Sequence, residues 1–151
     1  MYLRKCILTA NNCYKYNVDI KPVGIILHST GANNPNLRRY VQPLETDPDY
    51  DEIIDHIGLN QYGNDWNCAK PDGTEVCVHA FIGKAADGSV ATYQTLPWST
   101  RGWHSGYASK NSTTNANKLG YIGIEICEEN LVDYTYFSQV YREAVEVVAY
   151  L

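Results

Sequence analysis

No run of lysine or arginine occurs in these 151 residues, and that absence excludes a first class of function. Twelve basic residues stand against seventeen acidic ones, a net charge of −5. Phosphate backbones are bound by clustered cations, so nucleic acid is not an expected partner. No stretch approaches the roughly 20 apolar residues of a membrane-spanning helix. Only five residues separate Arg4-Lys5 from Asn11-Asn12, too few for a signal-peptide core, which predicts synthesis in the cytoplasm without an export signal. No internal repeat is present. No CxxC pair occurs, and five cysteines cannot all pair within one chain. All five read as reduced, Cys77 and Cys127 as small hydrophobes on strands, with Cys6–Cys13 the only pair close enough in sequence to suspect. No two of the four histidines lie at helical or hairpin ligand spacing, so spacing alone gives only a weak metal signal.

What is present fits one compact domain with a real core, since 44% of the residues are apolar. The coarse pattern predicts strands at about 4–9, 22–28, 76–84, 90–95 and 121–127, with short helices at 36–41 and 51–57. Asp87-Gly88 is a hairpin signal between the third and fourth strands. Two long polar stretches, 58–74 and 96–118, read as loops that wall a cleft. An amphipathic helix begins near 134, capped by Asp133 or Thr135. Its expected buried stripe is Phe137, Val140, Tyr141, Ala144, Val148 and Leu151, with Gln139, Arg142, Glu143 and Glu146 outward. Thirteen tyrosines are many; most read as amphipathic rim residues, and some in polar segments offer rings for stacking on sugars.

Glu125 is the most informative residue. It interrupts the apolar run Tyr121-Ile122-Gly123-Ile124-Glu125-Ile126-Cys127, where alternation sets Gly123, Glu125 and Cys127 on one face. An ionised carboxylate there costs on the order of several kcal/mol unless a cation, a metal, donors or a raised pKa compensates it. An ion pair with Arg101 is one such compensation, and a catalytic acid–base role is the other reading. His28 ends the apolar run Val23-Gly24-Ile25-Ile26-Leu27, at a sheet rim of the sort where α/β proteins keep their ligand sites. His104 follows Trp103 in the second long loop, and His79 lies on a strand beside Cys77 and Phe81.

Taken in order, His28-Ser29-Thr30, Val78-His79-Ala80-Phe81-Ile82 with Asp87-Gly88, Trp103-His104-Ser105-Gly106 and Ile122-Gly123-Ile124-Glu125 resemble the zinc-dependent N-acetylmuramoyl-L-alanine amidases. That family also includes peptidoglycan recognition proteins. The segments 30–37 and 93–98 look like the amidase domains of endolysins from phages and prophages of Gram-positive hosts, and the likeness spans nearly the whole chain.

The resemblance implies an α/β fold, a central mixed β-sheet flanked by helices, with residues 1–151 forming an amidase catalytic domain that lacks its C-terminal segment. It implies a peptidoglycan hydrolase that cuts the amide between N-acetylmuramic acid and the L-alanine of the stem peptide, acting at the bacterial cell wall. Zinc is the implied cofactor, with His28 as one ligand and two more placed beyond residue 151. Glu125 is the implied catalytic base, and Trp103, His104 and His79 are the implied substrate-binding residues, although a core role for His79 is at least as well supported. A His28, His104 and Glu125 metal set is the competing assignment. The competing function is a non-catalytic peptidoglycan-binding module with an incomplete zinc site. With one family ligand in hand, zinc binding and turnover by this chain are expected to be weak.

Overall fold

A computed structural model describes residues 3–107 and 109–151, apart from the burial of Asp72. Five strands form one mixed sheet: β1 (Leu3–Lys5), β2 (Gly24–Ser29), β3 (Ala80–Lys84), β4 (Val90–Gln94) and β5 (Tyr121–Ile126). Their order is β1-β4-β3-β5-β2. β3 and β4 are antiparallel, joined at Asp87-Gly88, where Gly88 takes a φ of 85° that a side chain would disfavour. The other three pairings, β1 with β4, β3 with β5 and β5 with β2, are parallel. The helices are α1 (Asn12–Tyr16), α2 (Tyr50–Ile57), α3 (Ala116–Leu119) and α4 (Tyr134–Tyr150), so the expected α/β architecture with a central mixed sheet is the one observed.

Alternation along β5 divides two cores. Ile122 and Ile124 join Ala80 and Ile82 beneath α4, against Tyr136, Val140, Ala144 and Val147. On the other face Phe81, Tyr93 and Cys127 pack with Leu37, Tyr40, Val41, Ile53, Ile57 and Trp66. A ring stack of Tyr40 on Phe81, centroids 5.2 Å apart, closes that second layer.

Three expectations need correction. β2 reads from its apolar run as a buried strand, but it is an edge strand with Leu27 46% exposed. An apolar run fits an edge as well as a centre when its far face is open. α4 does start at Tyr134 with Asp133 accepting from the Tyr136 N–H, yet it is turned by about one position from the expected stripe. Tyr136 and Val147 are buried, whereas Phe137, Tyr141, Val148 and Leu151 are exposed. Glu143, expected outward, is buried and accepts from the Thr92 hydroxyl at 2.8 Å, which satisfies its carboxylate inside the core. The cysteines are the third correction. Cys13 and Cys77 form a disulfide across 64 residues, while Cys6, Cys68 and Cys127 are in no disulfide. Neighbourhood in sequence was a poor guide because the Asn11 side chain, which caps α1, donates to the Val76 carbonyl and so sets Cys13 beside Cys77.

A groove of about 930 Å3 runs between α4 and the 126–133 segment on the α4 face of the sheet. Phe137, Tyr141 and Val148 make its wall, and it does not contain Glu125. No helix among the described residues is long and apolar enough to cross a membrane.

Candidate active site

Register assembles the site. β2 pairs with β5 so that His28 lies opposite Glu125, and Phe81 of β3 lies opposite Glu125 from the other side. Register partners point to the same face, so one row across the sheet reads His28, Glu125, Phe81, Tyr93. Glu125 therefore has an imidazole on one flank and a fully buried phenyl ring on the other. Burial pushes its carboxyl up from 4.5 to about 7. Its Oε2 is buried without a hydrogen-bond partner, and no ion pair with Arg101 forms among the described residues. No donor or cationic side chain among the described residues compensates that oxygen, and burial raises the pKa.

His104 lies over the preceding position of the same face. Only a glycine at 123 leaves room for it: a Cβ there would come within 2.4 Å of His104 Cγ. The backbone N–H of His104 donates to Asn117 Oδ1 at 3.0 Å, and Asn117 Nδ2 donates to the Ser105 carbonyl at 2.8 Å. Asn115 caps α3, accepting from the Lys118 N–H. These two buried asparagines hold the Trp103-His104-Ser105 segment in place and were not singled out from sequence. Their signal was weak: asparagines ahead of a four-residue helix look like ordinary turn formers.

The histidine tautomers follow from their partners. His104 Nε2 contacts the Tyr121 carbonyl at 3.1 Å and must donate. Its Nδ1 then accepts from His28 Nε2–H at 3.0 Å. His28 is left with Nδ1 as an uncommitted lone pair among the described residues. Burial lowers the pKa of both rings, which keeps the pair neutral near pH 7. In this arrangement the ring nitrogens of His104 orient His28. Trp103, 38% exposed, stands at the rim beside them.

His79 is different. It is fully buried, accepts from the Gly123 N–H through Nδ1 at 3.0 Å and donates Nε2–H to the Thr100 carbonyl at 2.8 Å. Neither nitrogen remains for a ligand, so of its two readings the core role is the one the geometry favours. It ties β5 to the segment leading to His104. Burial depresses its pKa to about 4. The neutral ring is thus favoured in the fold, and the stability it brings is complete above about pH 6.5 and lost as pH falls towards 4. The amount at stake is on the order of 3 kcal/mol. Glu125 works in the opposite sense, since its folded carboxyl gains from protonation between pH 7 and 4.5. Acid unfolding alone would mix the two, so the direct check is the His79 imidazole resonance, expected to titrate near pH 4; an ordinary midpoint near 6.5 would contradict the assignment.

His28 Nδ1 has the chemistry of a metal ligand. A catalytic zinc takes three protein ligands, and among the described residues no three His, Cys, Asp or Glu side chains are grouped to hold a metal ion. The competing set of His28, His104 and Glu125 is therefore not assembled, because His104 spends its nitrogens on His28 and Tyr121. These residues by themselves do not fit a zinc site.

Comparison with known proteins adds one positive finding. No curated protein and no solved structure matches the chain. The sequence model of the N-acetylmuramoyl-L-alanine amidases does match, over residues 16–151. That span contains β2, β5 and all the residues that meet around Glu125, and the chain belongs to the N-acetylmuramoyl-L-alanine amidase family.

Proposed function

We propose that this chain hydrolyses the amide joining the lactyl group of N-acetylmuramic acid to the L-alanine of the stem peptide, with Glu125 as general base. Membership of the family gives a peptidoglycan amidase acting at the cell wall. The observation that carries the finer reading is the Glu125 carboxyl, buried beside Phe81, raised to about 7 and with one oxygen free of partners. A base is most effective when its pKa lies near the working pH, and burial brings the Glu125 carboxyl up into that range.

In the proposed reaction the carboxylate takes a proton from the attacking water as its oxygen bonds to the amide carbon. It returns that proton to the departing amine of L-alanine as the C–N bond breaks. His28, held by His104, offers Nδ1 to orient the water or the amide group. Trp103 gives the rim an exposed aromatic face for the sugar or lactyl group. Members of the family commonly bind zinc, but no three ligating side chains among the described residues are grouped to complete a zinc site. The likeness of 30–37 and 93–98 to endolysin amidases supports wall lysis of the phage or prophage kind as the setting.

The test is digestion of purified peptidoglycan, scored by mass spectrometry for intact glycan strands and stem peptides with a new free L-alanine amine. Those products are expected, at a low rate. Retention on peptidoglycan with no new amine groups would instead support the binding-module reading, and cleavage between sugars would overturn both.

A further inference from the structure

We propose that the Cys13–Cys77 disulfide is a positioning element for His104, so that turnover depends on the oxidation state of this pair. The inference rests on the amidase reading of the site. Cys77 exchanges both backbone hydrogen bonds with Trp103, N to O at 3.1 Å in each direction, and the Trp103 N–H also lies 3.1 Å from Cys77 Sγ. His104 is the next residue. The sulfur that leaves Cys77 for Cys13 is thus in contact with the backbone that presents His104 to His28.

Both ends of the bridge are anchored. Asn11 accepts from the Cys13 N–H and donates to the carbonyls of Trp66 and Val76, which seats α1 beside Cys77. From the other side Arg101 N–H donates to the Val18 carbonyl and Ile20 N–H to the Ser99 carbonyl. The chain from α1 to β2 therefore runs along the 99–103 segment, and the disulfide fixes where that chain begins. Gly102 allows no slack: a Cβ there would meet His104 Cδ2 at 2.9 Å and His79 Cε1 at 3.0 Å. A displacement of 1 Å in such a frame misplaces His28 through its bond to His104, and misplacements of that size are costly in rate.

The redox step balances simply. A dithiol such as dithiothreitol attacks one sulfur, the S–S bond breaks, and two electrons and two protons pass to Cys13 and Cys77 as the reagent closes to its own disulfide. Glutathione disulfide reverses this by two exchanges and releases two glutathione thiols. With Cys13 7% and Cys77 4% exposed, reduction in the native state requires α1 to lift away and is slow.

Three forms of the full chain are compared well below their melting temperatures: oxidised, reduced, and the double variant Cys13→Ala/Cys77→Ala, which needs no reductant and so separates the effect from metal chelation. Thiol titration after unfolding should count three thiols in the oxidised form and five in the reduced one. Reduction and the double variant should each lower kcat about tenfold or more with KM nearly unchanged, and glutathione disulfide should restore the reduced form but not the variant. Cys68→Ser, which alters an exposed cysteine outside the disulfide, should leave kcat unchanged. The Trp103 amide should exchange with solvent about tenfold faster once the bridge is open. A bridge that only stabilises the fold would lower the melting temperature and leave kcat in place. Equal kcat in all folded forms therefore overturns the proposal. If no form turns over, the amidase reading has failed, and the exchange decides: a faster Trp103 amide supports the positioning role, an unchanged one overturns it.

Discussion

Glu125→Gln is expected to reduce turnover on peptidoglycan on the order of a hundredfold or more while raising stability in alkaline buffer. The two effects share one cause. The folded environment disfavours the charged carboxyl, lifting its pKa from 4.5 to about 7, and that penalty is largest once the group is ionised. A folded pKa above the unfolded one means that wild-type stability falls as pH rises from 4.5 through 7. Glutamine has the same shape and no charge, so the variant should come close to wild type near pH 4 and melt higher at pH 8. Activity runs the other way. Wild-type kcat/KM should rise with pH through about 7 as the base ionises, and the residual activity of Glu125→Gln should lack that limb. Undiminished turnover would remove Glu125 from the chemistry. A variant less stable than wild type at pH 8 would show that the carboxylate is compensated by some interaction other than protonation.

The part of this site that was legible in the sequence is local. Alternation along 121–127 placed Gly123, Glu125 and Cys127 on one face, and the two cores confirm that face. Asp87-Gly88 marked the hairpin, and Asp133 marked the start of α4. What could not be read is whatever depends on register between distant strands. The roles implied for His28 and Glu125 put both in one cleft, and the structure does pair them across almost a hundred residues of chain; what neither segment states is the register that sets them directly opposite. The disulfide failed for the same reason, across 64 residues. The rotation of α4 failed differently. Phe137 and Tyr141 are as hydrophobic as Tyr136 and Val147, so hydrophobicity alone did not say which column meets the sheet. The short helices α1 and α3 are built on asparagine caps and carry too few turns for periodicity to show.

Gly123→Ala is the second large effect, and it opposes what strand propensity predicts. Alanine in a strand interior is ordinarily better than glycine by roughly 0.5–1 kcal/mol, and the φ of Gly123 lies outside the left-handed region. The obstacle is His104. The added methyl would lie 2.4 Å from its Cγ, 2.5 Å from Cδ2 and 2.7 Å from Nδ1. The ring cannot withdraw freely, because Asn117 holds its backbone and Tyr121 and His28 hold both its nitrogens. Either the ring leaves, breaking its bonds to the Tyr121 carbonyl and His28, or β5 shifts and takes Glu125 with it. Overpacking of this kind costs about 1–3 kcal/mol, and losing the orientation of His28 should lower turnover on the order of a hundredfold. Gly106→Ala, where an added Cβ meets nothing within 4 Å, should leave both melting temperature and turnover unchanged. Removing the obstacle separates the two effects: Gly123→Ala/His104→Ala should recover most of the lost stability, yet remain as slow as Gly123→Ala. If the double variant recovered turnover as well, His104 would not orient His28 for the reaction. If Gly123→Ala alone were as active and as stable as wild type, His104 would not occupy the position over β5 that the whole arrangement of the site depends on.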